Sequence, residues 1–214
     1  MVVPYTRCNS CPFRFPTDSA DEHRILCKRI CGYELNRGDS HLHVSAEQGH
    51  DDVVAFILTQ KFLDVNKVNN LGRGDTALIN AARNGREGAV RLLLSRCDVN
   101  VNAKGKNGCP ALIWAAMNGR EKVVELLLAR KEIMVNAVDN GGFTALIAAA
   151  RTNRERIVKV LLERKDIDVE AGRWDNHVNK PTMPGSDITP LMYAAQKGQE
   201  RTGWKFNRLN KLWT

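Results

Sequence analysis

Four cysteines and a histidine crowd the first 31 residues: Cys8, Cys11, His23, Cys27 and Cys31. Cys8 and Cys11 form a Cys-x2-Cys knuckle, eleven residues separate Cys11 from His23, and three separate each of the next pairs, His23 from Cys27 and Cys27 from Cys31. Thiolates and imidazole nitrogens at such spacing are ligands for a tetrahedral divalent metal ion. A shell closed by four protein ligands leaves no position for substrate or water, so the chemistry on offer is structural and not catalytic. The rest of the chain supplies no Gly-rich phosphate loop, no nucleophile elbow and no metalloprotease helix. Cys97 and Cys109 stand alone, and His177 sits in a Pro-, Gly- and Asn-rich stretch. Nothing here assembles an active site, and the sequence reads as that of a non-enzyme.

The element that must position the ligands is a helix over residues 18–32, capped by Asp18 or Ser19 with acids in its first turn. Spacing of i, i+4 puts His23, Cys27 and Cys31 on one side of it, where the knuckle can face them. With Phe15 as an aromatic residue between knuckle and helix, residues 1–35 resemble a small zinc finger of the Cys-Cys-His-Cys kind. That resemblance implies Cys8, Cys11, His23 and Cys27 as ligands of a structural zinc ion. Cys8, Cys11, Cys27 and Cys31 would serve as well, and the same helix with ordinary buried cysteines would equally cap whatever follows.

Composition narrows the class. At 214 residues and 43% hydrophobic content the chain can bury a core of one or two domains. Only 6% of residues are aromatic, and Ala, Leu, Val and Ile dominate the apolar set, which suits closely packed helices better than a β-sandwich. No stretch approaches the ~18–20 apolar residues needed to span a bilayer, and the start, MVVPYTRCNSCPFRF, lacks the apolar run of a signal peptide. The expected setting is intracellular, cytoplasmic or nuclear, where thiols stay reduced. A net charge of +8 favours acidic partners, whether nucleic acid, an acidic protein surface or anionic lipid.

Laid on itself, the chain repeats. GDSHLHVSAEQGH, GDTALINAARNGR, GCPALIWAAMNGR, GFTALIAAARTNR and DITPLMYAAQKGQ align on anchor leucines Leu42, Leu78, Leu112, Leu146 and Leu191, which are 36, 34, 34 and 45 residues apart. A hydrophobic triplet ends sixteen residues after each of the first four anchors, at Leu58, Leu94, Leu128 and Leu162, and a polar residue follows at Asn66, Asn102, Asn136 and Glu170. Glycines 38, 74, 108 and 142 suit the turn before each first helix, and the Ser or Thr at 40, 76, 144 and 189 is placed to cap it. Alanine pairs such as Ala81-Ala82 and Ala115-Ala116 are small where helices cross, and Gly49, Gly85, Gly119 and Asn153 are placed to end the first helix in a left-handed cap.

These features resemble the ankyrin repeat family, whose signature opens Thr-Pro-Leu-His and runs through an Ala-Ala pair to a Gly. The resemblance implies an all-α, helix-turn-helix solenoid with short β-hairpin connections. It divides residues 36–200 into units at about 38–70, 71–106, 107–139 and 140–172 with a partial fifth at 187–200, separated by an inserted loop at 173–186 and followed by an irregular basic tail at 201–214. It also implies a protein–protein interaction module, a scaffold or adaptor, acting as a monomer and docking its partner on the concave face built by hairpin tips and first helices. Carried over by distance from each anchor leucine, the partner-binding residues are Arg73, Arg83, Lys106, Met117, Asn118, Phe143 and Arg151, with Arg130 following a second helix near the same rim. Their basic bias points to an acidic or mixed-charge protein, with Met117 and Phe143 as apolar anchors. The alternative is a nucleic-acid-associated regulator using the N-terminal finger and the basic charge.

Overall fold

A computed structural model of the chain describes residues 41–59, 63–69, 74–169 and 171–172. Among them are eight α-helices in four pairs: α1 His41–Gln48 with α2 Asp51–Leu58, α3 Ala77–Asn84 with α4 Glu87–Leu94, α5 Ala111–Met117 with α6 Glu121–Leu128, and α7 Ala145–Arg151 with α8 Glu155–Leu162. The fold is the all-α solenoid expected from the repeat. The N-terminal Cys/His segment, the inserted loop, the partial fifth unit and the basic tail lie outside the described residues.

Local chemistry starts and stops each first helix. Thr76 and Thr144 accept the backbone N–H of Ile79 and Ile147 at 3.3 and 3.2 Å, an N-cap bond that satisfies one of the free donors of the first turn. Pro110 takes the same place in α5 and supplies no side-chain cap. The turns that follow are left-handed at Gly49, Gly85, Gly119 and Asn153, with φ of 77°, 72°, 70° and 57°, the cap anticipated from the glycine and asparagine spacing.

Two layers result. First helices pack on first helices and second helices on second helices, with each pair closed against itself. In α3, α5 and α7 nearly every residue is buried, and alanines at the crossings let the axes approach closely. The second helices bury only a stripe, such as Val123, Val124, Leu127 and Leu128 in α6. The layer of first helices is termed inner here and that of second helices outer. Within each triplet the middle residue is the deepest: Ile57, Leu93, Leu127 and Leu161 are at most 1% exposed.

Hairpins between units are reduced to single antiparallel bridges, Val68 with Thr76 and Lys104 with Pro110, and the described residues contain no strand. The physical reason is that side chains take over the joining. Asn66 donates from Nδ2 to Asp98 O at 2.7 Å and accepts Asn100 N at 2.7 Å. Asn102 does the same with Glu132 O and Met134 N, and Asn136 with Asp166 O and Asp168 N. Each asparagine that closes a unit is therefore a two-point clasp on the next.

Candidate partner-binding face

On the inner face, at the meeting of the third and fourth units, lies a cleft of about 170 Å³. Its floor is Cys109, Ile113 and Ala148, all buried, and its walls are the half-buried Trp114, Met117 and Phe143 with Asn107, Asp139 and Arg151 at the mouth. The hairpin tips that frame it are tied together. Asn140 N donates to Asn107 O at 2.8 Å, and Asp139 Oδ1 accepts both Gly141 N and Phe143 N at 2.9 Å. The Arg151 guanidinium stands over the Phe143 ring, 5.2 Å from its centroid, a cation–π pair that orients both. Burial, with the nearby negative charges of Asp139 and Asp75, pushes the Cys109 thiol up to about 12, so it lines the floor as a neutral group.

Beside the cleft is a buried polar network. The Asp75 side chain is fully buried and accepts Arg83 Nη1 at 2.9 Å on one oxygen and Lys106 N at 3.0 Å on the other. Arg83 also donates Nη2 to Asn80 Oδ1 at 2.8 Å, and its guanidinium stacks 5.3 Å from the centroid of the Trp114 ring. His43 Nε2 lies 3.1 Å from Asp75 O. A carbonyl only accepts, so that nitrogen carries the proton.

The residues expected to bind a partner therefore divide. Met117, Phe143 and Arg151 come together in the cleft, and Lys106 is exposed beside it at the junction of the second and third units. Arg83 is otherwise engaged: its side chain is only 15% exposed and holds the Asp75 carboxylate of its own unit. Asn118 is likewise engaged, donating Nδ2 to Arg83 O at 3.2 Å. Arg130 reaches back to Leu94 O at 2.9 Å and pairs with Glu132, satisfying a free carbonyl at the end of α4 in the layer of second helices. Arg96 on Leu58 O and Arg164 on Leu128 O repeat that hook. Arg73 and the zinc-ligand candidates Cys8, Cys11, His23 and Cys27 lie outside the described residues.

Trp114, Asn107 and Asp139 were not anticipated. The signal for Trp114 was in the repeat alignment: two residues after the anchor leucine the other units carry Val44, Asn80, Ala148 and Tyr193, and only the third has an indole. Its buried Nε1–H has no hydrogen-bond acceptor among the described residues, whereas buried donors are nearly always paired.

No curated protein matches the chain. A family model described as ankyrin repeats (3 copies) matches residues 19–104 and again 96–172. Three copies are fewer than the four units and partial fifth expected from the sequence; the four helix pairs fall within the matched segments, and the partial fifth lies beyond them. The match begins inside the Cys/His-rich segment, so His23 and Cys27 fall within it while Cys8 and Cys11 precede it. With well over half its length covered, the chain belongs to the ankyrin repeat family, whose repeats generally serve as protein–protein interaction modules.

Proposed function

We propose that the chain is an adaptor that binds an acidic or mixed-charge protein on its inner face, with the Met117–Phe143 cleft as the point where one apolar side chain of the partner is held. The observation that carries this reading is the cleft itself. At about 170 Å³ it is close to the ~150 Å³ apolar cavity that accepts a benzene ring, and well below the ~300–1,000 Å³ of sites that enclose a small molecule. A site of that size takes one side chain of a larger partner. Arg151 and Lys106 beside it supply cations that orient an acidic neighbour of the anchoring residue.

The test is affinity purification of the full chain with mass spectrometry, run beside Met117→Glu. A carboxylate placed in the cleft opposes both an apolar anchor and an acidic flank. Proteins that depend on the cleft are recovered by the wild type and reduced at least about tenfold by the variant, with thermal stability unchanged. Recovery of the same proteins in equal amount by both would remove the cleft from the interface.

A further inference from the structure

A row of arginines runs along the turns that join the first helix of each pair to the second, apart from the cleft. Arg86, Arg120 and Arg154 hold the same position in successive units and all are exposed. Each lies across the cap glycine of the preceding unit. A Cβ at Gly49 would stand 2.8 Å from Arg86 Cδ, one at Gly85 2.6 Å from Arg120 Cδ, and one at Gly119 2.8 Å from Arg154 Nε. The positive φ of these glycines, and not the space beside them, is what a side chain there would oppose, since the arginine ends can shift. Arg86 donates Nε to Glu47 O at 2.9 Å and Arg120 donates Nε to Arg83 O at 3.3 Å. Those bonds fix the guanidinium planes and leave the terminal nitrogens of both with no protein partner among the described residues. The acids that follow the first two arginines are drawn away: Glu87 pairs with Lys122 at 3.7 Å and Glu121 with Arg156 at 3.1 Å, both on the outer helices.

We propose that this turn face is a second protein-binding surface, one that takes an extended acidic segment with a carboxylate at about every third residue. Packed helices stack at ~8–10 Å, and three residues of extended chain at ~3.3 Å each cover the same distance. A guanidinium with both terminal nitrogens available takes a carboxylate bidentately, and one held in place loses little freedom in doing so. Three cations fall short of the ~6–10 phosphate contacts of proteins held on duplex DNA by charge, which favours a protein ligand.

The probe is a short fluorescent peptide with glutamate at every third position, titrated at low salt against the full chain and read by anisotropy. Replacing the row by Arg86→Gln, Arg120→Gln and Arg154→Gln weakens binding about tenfold, and a peptide with the same glutamates in one block binds the wild type less well than the spaced one. Met117→Glu leaves the peptide's affinity unchanged, which separates this surface from the cleft. Equal affinity for the triple variant and the wild type, or for spaced and blocked peptides, overturns the proposal. If the triple variant loses its far-UV circular dichroism, Arg154→Gln decides alone, because the Arg154 side chain makes no backbone bond among the described residues; a two- to threefold loss supports the row and no change sinks it. A duplex DNA of equal charge that displaces the peptide at lower concentration assigns the row to nucleic acid instead.

Discussion

Asp75 and Arg83 show that repeat register places a residue without revealing what holds it. Counting from Leu78 puts Arg83 at the end of α3 on the inner face, which is correct, but nothing local to it announces that Asp75, eight residues earlier, returns beneath it with no exposure. The pair is three-sided: a carboxylate between a guanidinium and the Lys106 N–H, and a guanidinium between that carboxylate, Asn80 and the Trp114 face. Arg83→Glu leaves a buried carboxylate facing a second one and should cost about 3–5 kcal/mol of unfolding free energy, the range for breaking a buried pair by removing one partner. Chemical denaturation measures it, and a loss below ~1 kcal/mol would show the network to be dispensable. Because charge reversal here destabilises the fold, it cannot report on binding, whereas substitutions at Arg151 and Met117 can. Trp114, by contrast, was legible as the one indole at its repeat position; what sequence could not show is that Arg83 would cover one side of it while the cleft opened on the other.

At the scale of elements, helices, caps and the buried stripe were readable because each is set by contacts within about four residues of chain. The joints between units were not. Asn66, Asn102 and Asn136 stand out as a recurring polar position, yet their partners are backbone groups about 30 to 34 residues away, for which sequence carries no side-chain signal. The same holds for the arginine hooks. Arg96 and Arg164 each grip a carbonyl in the preceding unit and an acid two residues on. The hydrogen bond from Arg96 holds the Asp98 carboxyl below its ordinary range, that from Arg164 does so for Asp166, and Glu132 is lowered by its own backbone N–H and then by Arg130. A carboxylate with a depressed folded pKa adds stability that is present above its unfolded pKa of ~4 and is lost as pH falls through the lower folded value. The denaturation midpoint should therefore drop as pH is lowered from about 4. A variant carrying Asp98→Asn, Glu132→Gln and Asp166→Asn should be less stable at neutral pH and show a shallower acid slope. Parallel curves for the two proteins would mean that the hooks contribute nothing.

For the whole molecule, both proposed surfaces depend on spacing, and spacing depends on coupling between units. A solenoid repeat cannot hide its apolar face alone, so stability is the sum of weak units and strong interfaces. The cleft is made by two units together, and the arginine row spans three, each side chain lying across the cap glycine of the unit before it. Leu127, the penultimate residue of α6, is without exposure, and α6 packs against α4 on one side and α8 on the other. Leu127→Ala should cost about 2–5 kcal/mol through lost burial and the cavity left behind. Because the damage falls on an interior unit, it should also split the unfolding transition, the units on either side melting separately where the wild type unfolds in one step. Far-UV circular dichroism in urea, fitted for the number of transitions, distinguishes this from a uniform loss. If the midpoint is unmoved, α6 is not packed as described. If it moves but the transition stays single, the interfaces on either side of the third unit survive the cavity, and the cleft and the arginine row should keep their geometry and their ligands.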